Sequence, residues 1–570
     1  MRLGRGTDSH FIGLCLLVVA VAPLYLFNLG APVLWQDEGT TALLARQVLR
    51  HGLPFQGEGA ESASQNGLET RAAWGLDVHA PWLQAYIAAA ALALAPQRGT
   101  AASAADVAAI TARVRLPFAL FGLLAGFAVF FFVRDALAGE EPLRGNWPST
   151  VGLGAAALLL GSTAFVLHAR QARHYSPAAL AIVLLLHAYL LQRRPSRWRG
   201  VYLAASSLFL LSTNDVAWLA ALSAIVAHAF AVERHRIGPS VVLGALLPSM
   251  AVAVLWYLLT STTDRYAFLD LSGFPFRLGA YALEANAHLF PLIVPFFIGV
   301  ALVARADGRR RLVTLARGFR FAEALSAVRA AGYTTSLVFL ISAVVAAVAL
   351  LHSMSRETYL RFLIPVAPLL AAGTALLLLQ PVRDNRRRLA WVVPLLLIMA
   401  LSDVAGWLSD APLRALPVGR PARRHGYWLR PNTAADLMAR IQNPAQGPVA
   451  AVAELLLRRA RDDDLLVAVY GDQPLRLLLP IDTYGDGGTL PPPGEALDWI
   501  WSRDGRRGGT AQYIDQNVDV SVCRTHTLTA PDRLWEYRPD PDEYWPMEQT
   551  DDPPVVVWEC RGQNDTTRAR

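Results

Sequence analysis

Charge is what this chain has least of. Of its 570 residues only 17% are Asp, Glu, Lys or Arg, whereas 54% are hydrophobic. An ordinary soluble globular fold of this length carries about a quarter charged residues, so that class is excluded. Cysteine is nearly absent too, with three copies, Cys15, Cys523 and Cys560, too few for a disulfide-dense secreted scaffold. No spacing of Asp, Glu, His or Cys has the specificity of a metal signature, although Asp37, Glu38, Asp77 and His79 could supply ligands; an obligatory divalent ion is therefore not expected. No internal repeat is visible. The net charge of +7 does not point to nucleic acid, because the excess falls in short loops between apolar runs, where the positive-inside rule accounts for it.

What the chain has instead is a series of apolar runs. Windows of roughly 16 to 22 apolar residues, about what a ~30 Å hydrocarbon layer requires, fall near 11–30, 80–96, 115–134, 150–168, 176–192, 199–213, 216–233, 240–260, 288–304, 334–354, 360–380 and 388–408. The chain reads as a polytopic α-helical membrane protein with about 12 to 13 transmembrane helices. The first run follows Arg2 and Arg5 like a signal peptide, but it is long, lacks a clear small-residue cleavage site and precedes many more runs, so it reads as a retained anchor. Clusters at Arg193, Arg194, Arg197 and Arg199, at Arg234 and Arg236, from Arg305 to Arg320 and from Arg383 to Arg388 predict cytoplasmic loops. That puts 31–79, 169–175, 261–287, 355–360 and everything after 409 outside. A full crossing at 80–96 breaks the alternation: either 80–114 re-enters or crosses twice, or a later segment does not cross.

Residues 1–408 thus form the membrane part, with 31–79 as its first outer loop. From 409 to 570 the composition shifts to Pro, Gly, Asp and Arg and no spanning run follows, which predicts a small extracytoplasmic α/β domain. Within it Leu465 to Tyr470 and Val555 to Trp558 read as buried strands, and 449–461 as a helix. Asp462-Asp463-Asp464 reads as a solvated face. Cys523 and Cys560 both fall here; they form either a disulfide closing a loop of ~37 residues, worth a few kcal/mol in the chain-entropy model, or two buried thiols.

The chemistry starts at Asp37 and Glu38, in the stretch Leu34-Trp35-Gln36-Asp37-Glu38-Gly39-Thr40-Thr41. A carboxylate at the mouth of the bilayer needs a reason. Leu43, Leu44, Val48 and Leu49 give the following residues an apolar stripe, which predicts an amphipathic helix along the membrane surface. Asp37 would cap its first turn. The same carboxylate can also take a proton from a bound hydroxyl, and the two readings are compatible. A second constellation gathers on the expected outer face, where arginine should be scarce: His79, Arg115, Arg170, Arg173, Tyr175, Arg356 and Arg361. Taken singly, each arginine reads as a side chain snorkelling to the interface. Taken together they suit a phosphate, because the planar guanidinium donates two parallel charge-assisted hydrogen bonds. A phosphate at headgroup level points to a lipid-linked one.

Trp35-Gln36-Asp37-Glu38, a helix ending in Arg50-His51-Gly52-Leu53-Pro54, His79-Ala80-Pro81, Arg115-Leu116-Pro117, Ala169-Arg170-Gln171-Ala172-Arg173 and Arg361-Phe362-Leu363-Ile364-Pro365 occur in that order. The set resembles the GT-C-type membrane glycosyltransferases, and within them the protein O-mannosyltransferase and lipid A aminoarabinose transferase superfamily, over roughly residues 10–410. The resemblance implies transfer of a hexosyl or pentosyl group from a polyprenyl-phosphate donor to a lipid, glycan or protein acceptor at the outer face of a bacterial inner membrane. It implies Asp37 as the general base, Glu38 as its companion, and Arg170, Arg173 and Arg361 near the donor phosphate; His79, Arg115, Tyr175 and Arg356 are expected as further substrate-binding residues from their place on the same outer face. The chain departs from the pattern at Ala80, where a first proline is usual, at Tyr175, where an acid is common, and after Ser212-Thr213, where Asn214-Asp215 replaces a frequent lysine. One essential acid suffices for such a reaction. A polyprenyl phosphate leaves readily, so one base and a cationic seat can do what two carboxyl groups do in glycoside hydrolysis, with inversion at the anomeric carbon.

Two other classes share the composition. A secondary transporter would place ionisable groups or broken helices near the midplane and show paired repeats; here charges crowd the helix ends, Asp215 excepted. A membrane-anchored scaffold would need no outer arginines beside its spans.

Overall fold

The computed structural model describes residues 5–56, 75–77, 81–94, 101, 103–138, 146–193, 198–233, 237–260, 270–290, 333–355, 359–379, 382, 386–410, 433–444, 447–485, 490–491, 497–503, 509–531 and 554–561. The membrane part opens with α1 (Arg5–Leu26), α2 (Gln36–His51), α3 (Leu83–Ala93) and α4 (Ala104–Leu137). It continues with α5 (Trp147–Gly161), α6 (Thr163–Ala169), α7 (Tyr175–Leu190), α8 (Trp198–Thr213), α9 (Asp215–Ala231), α10 (Pro239–Thr260) and α11 (Phe274–Glu284). It closes with α12 (Tyr333–Ser353), a 3₁₀ turn over Leu360–Val366, α13 (Ala367–Leu379), α14 (Arg386–Leu401) and α15 (Val404–Asp410).

Among the described residues six helices are long and apolar enough to cross a membrane, and a seventh span results if α5 and α6, bent by 66° at Ser162, count as one. Of the other expected runs, those in α3, α8 and α9 are shorter than that, with α8 at 16 residues. α3 has 11 residues, a rise of about 16 Å, which is half a hydrocarbon layer. On its own it is too short to cross, and the Ala-rich stretch after it begins the 34-residue α4. α9 has 17 residues, and the run at 388–408 breaks between α14 and α15. Most of the run at 288–304 lies outside the described residues.

Close helix approach has a readable cause. Gly122 and Gly126 lie one turn apart on α4; a Cβ at the first would stand 2.6 Å from the Ala169 Cβ, and at the second 2.6 Å from Leu160 Cδ1. Small residues at this spacing let apolar helices pack without a hydrophobic driving force between them.

The remainder forms α16 (Ala434–Gln442), α17 (Pro448–Arg459), α18 (Asp472–Leu478) and α19 (Gly509–Asn517) with a five-stranded sheet. Its strands are β1 (Leu465–Ala468), β2 (Asp482–Gly485), β3 (Trp499–Trp501), β4 (Arg524–Pro531) and β5 (Pro554–Glu559), in the order β2-β1-β3-β5-β4. β1 runs parallel to β2 and β3, while β5 is antiparallel to β3 and β4. Every residue of β1 is buried, as a central parallel strand covered on both faces requires. Cys523 and Cys560 are disulfide-bonded across 37 residues, worth about 4 kcal/mol in the chain-entropy model. Asp464 is not part of a solvated face: it is buried and accepts from Trp499 Nε1 at 2.7 Å and from Arg561.

Candidate active site

The site is organised by the first turn of α2. Trp35, in extended conformation, is the residue that caps this helix, so Asp37 and Glu38 fall at its second and third positions. The capping role expected of Asp37 therefore goes elsewhere. Glu38 reaches back to accept from the Trp35 backbone N–H at 3.3 Å, the reverse half of a capping box.

Glu38 is fully buried and saturated. It takes Arg115 Nε at 2.8 Å and Nη2 at 2.5 Å, and the Ala172 backbone N–H at 2.7 Å. Arg115 spends its remaining donors on the carbonyls of Leu29 (3.1 Å), Pro32 (2.5 Å) and Val33 (3.2 Å). This bidentate pair ties α2, α4 and the turn at 170–174 together. Glu38, expected as the companion acid, and Arg115, expected as a substrate ligand, are thus engaged with each other and with backbone groups.

Asp37 points the other way. Its Oδ2 stands 3.5 Å from Arg173 Nη2 and 3.5 Å from Arg361 Nη1, with the side chain 19% exposed. At that length the contacts are ionic rather than well-formed hydrogen bonds, so one carboxylate faces two guanidinium groups. Arg173 is steadied by donating to the Asp37 carbonyl at 3.2 Å and to Thr41 Oγ1 at 3.5 Å. Arg361 opens the 3₁₀ turn before α13 and sits over the rings of Tyr359 (4.4 Å), Phe362 (5.5 Å) and Trp35 (5.7 Å), an aromatic surround suited to a guanidinium.

The other expected site residues divide. Arg170, three positions from Arg173, donates instead to the carbonyls of Leu24 (2.9 Å), Tyr25 (3.2 Å), Phe27 (3.0 Å) and Asn28 (3.3 Å). These are the open carbonyls at the end of α1, where a cation belongs. Tyr175 is buried in the helix core, its ring 5.3 Å from His168 and 4.6 Å from His174. His79 and Arg356 lie outside the described residues. Among the described residues no group of three or more His, Cys, Asp or Glu could hold a metal ion.

Sequence reasoning missed two features. One is the histidines: His174, next to Arg173, and His352, stacked on Phe362 at 4.8 Å and 7°. Burial first, then the charges of Arg173, Arg361 and His352, hold His174 well below its ordinary range, so it is neutral at physiological pH. The adjacency of His174 to Arg173 was the only available signal.

The other is the grip of the sheet domain. Gln36 donates to Asp472 Oδ1 at 2.8 Å and accepts from the Gly471 and Gln473 N–H groups at 2.9 and 3.4 Å, at the start of α18. Arg46 donates to the carbonyls of Arg476 (3.5 Å) and Leu477 (2.5 Å). Asp472 is held in turn by Arg476 at 3.1 Å, both buried. The apolar stripe of α2 is not laid on a membrane surface: Leu43, Leu44 and Val48 pack in one cluster with Val452, Leu475 and Leu478, and only Leu49 is exposed.

A carboxylate held between two cations can accept a proton while the cations stabilise a developing anion. No family model matches the chain, and no curated protein sequence matches it. Solved structures do. The aminoarabinose transferase ArnT from Cupriavidus metallidurans, bound to undecaprenyl phosphate, is 15% identical with a TM-score of 0.50, over 96% of this chain and 98% of that one. The Archaeoglobus fulgidus oligosaccharyltransferase tethered to an acceptor peptide is 12% identical with a TM-score of 0.41, over 84% of this chain and 64% of that one. The chain thus has a GT-C-type fold, that of ArnT along nearly its whole length.

Proposed function

We propose that this protein is an inverting glycosyltransferase that moves a sugar from a polyprenyl-phosphate donor to a hydroxyl of a lipid, glycan or protein acceptor. The observation that carries the reading is the single Asp37 carboxylate facing Arg173 and Arg361. The acceptor oxygen bonds to the anomeric carbon from the face opposite the phosphate and loses its proton to Asp37. The bond from that carbon to the phosphate oxygen breaks, and its electron pair leaves with the polyprenyl phosphate, whose charge the two guanidinium groups stabilise. Glu38, Arg115 and Arg170 are positioning residues that hold Asp37 and Arg173 in place.

Three things support it: the fold shared with ArnT, whose structure holds undecaprenyl phosphate, the apolar helices around the site, and the Cys523–Cys560 disulfide, which suits an oxidising compartment. Site and sheet domain are accordingly assigned to the extracytoplasmic face of a bacterial inner membrane. In purified full-length protein assayed against a panel of polyprenyl-phosphate sugars, Asp37→Asn should lower transfer by about 10²- to 10⁴-fold while lipid phosphate binding persists. Turnover retained by this variant would overturn the assignment.

A further inference from the structure

Buried polar atoms without partners are rare, and several in one place call for a ligand that supplies them. Trp35 Nε1, His168 Nε2, Arg173 Nε, His174 Nδ1 and His352 Nε2 are all buried with no hydrogen-bond partner among the described residues. Trp35 lies against Arg361, Arg173 shares Asp37 with it, His174 follows Arg173 in the chain, His168 joins His174 through the Tyr175 ring, and His352 stacks on the neighbouring Phe362. The Trp35 ring lies 5.7 Å from the Arg361 guanidinium, whose charge reaches both His168 and His174. Tyr175 stands between the His168 and His174 rings, at 5.3 and 4.6 Å.

We infer that His168, His174 and His352, with the Trp35 indole, line the seat of the donor's glycosyl group, and that this group is an uncharged sugar bearing free hydroxyls. The inference rests on the transferase reading above and adds what that reading leaves open, the class of sugar. His168 Nδ1 is 2.7 Å from the Ala164 carbonyl; a carbonyl only accepts, so Nδ1 carries the proton and Nε2 offers a lone pair. The indole N–H of Trp35 only donates. A neutral imidazole such as that of His174 does one of each. A wall that both gives and takes hydrogen bonds fits hydroxyl groups, which do the same. It fits a second anion poorly, because the His168 lone pair faces it. It fits a protonated amine poorly, because Arg173 and Arg361 stand beside it. Asp215 bears on His352 and accepts from the Tyr257 hydroxyl at 3.1 Å.

The test compares binding of two lipids to the full-length protein in detergent: bare undecaprenyl phosphate, and undecaprenyl phosphate carrying a neutral hexose. Wild type should hold the glycosylated lipid about tenfold more tightly or better, one well-made hydrogen bond's worth or more. His174→Ala and His352→Ala should erase that difference and leave the affinity for the bare lipid unchanged. His174→Asn, which keeps a hydrogen-bonding group near the same place, should restore part of it. Equal binding of the two lipids by wild type, a parallel fall for both in the alanine variants, or a preference for an amino-sugar lipid over the neutral one would each overturn the inference. Binding of neither lipid by wild type would instead bring down the transferase reading, and the inference with it.

Discussion

Two adjacent carboxylates in α2 should fail in different ways when removed. Glu38→Ala strands Arg115 in the protein interior without its counter-charge, and breaking a buried pair from one side costs about 3–5 kcal/mol. The expected outcome is a clear drop in the thermal midpoint of the detergent-solubilised protein, with activity lost as a consequence. A midpoint equal to wild type would refute the clamp. Asp37 was legible as a candidate because it stands just beyond the first apolar run. The division of labour was not. Aspartate is a favoured capping residue and tryptophan is not, yet Trp35 takes that position, and a shift of one residue turns a helical side chain by about 100°. The same ambiguity hid Arg170: three residues from Arg173, it closes the end of α1, and nothing in Arg-Gln-Ala-Arg says which guanidinium faces which way.

At the level of elements, the contact between α2 and α18 places the reacting carboxylate. The residue before Asp37 is held from 436 positions away along the chain, which is why no local pattern revealed it. The apolar stripe of α2 looks the same whether it covers lipid or protein. Gly39 is the most sensitive point of this contact. A Cβ there would stand 2.5 Å from the Pro474 nitrogen and 2.7 Å from the Gln473 carbonyl carbon, backbone atoms that cannot swing aside. Gly39→Ala should therefore push α18 off α2, seen as faster amide exchange over residues 471–478 together with a fall in turnover. Exchange unchanged from wild type would show that the contact tolerates the methyl group. The strands β1 and β5 and the helix α17 were readable in advance, because continuous apolar runs and a 3.6-residue period survive whatever they pack against.

For the whole molecule, the apolar runs announced a helical membrane protein, and six to seven spans are found among the described residues. Helices as short as α3 and α9, of 11 and 17 residues, satisfy a hydropathy window once their flanks are included, so a window alone does not separate them from longer spans. The chain contains no lysine, so all 52 Lys/Arg residues are arginine, the side chain whose planar fork suits a phosphate. The sheet domain should contribute acid sensitivity. Burial raises the Asp464 carboxyl, but hydrogen bonds from Arg561, the Arg461 N–H and Trp499, with the Arg561 charge, outweigh it and hold the group below its ordinary value. A carboxyl depressed in the folded state contributes stability that is complete above its unfolded value of about 3.9 and is lost as pH falls below it. Near-ultraviolet dichroism of the full-length protein should show tertiary signal fading below about pH 4, and Asp464→Asn should flatten that dependence. An unchanged profile in the variant would remove Asp464 from the account.

The most direct measurement is a structure of the protein with a polyprenyl phosphate bound. The phosphate is predicted between Arg173 and Arg361, with oxygens about 2.7–2.9 Å from their guanidinium nitrogens and Asp37 facing the space the acceptor would fill. A phosphate seated elsewhere, with both arginines still turned to Asp37, would contradict it.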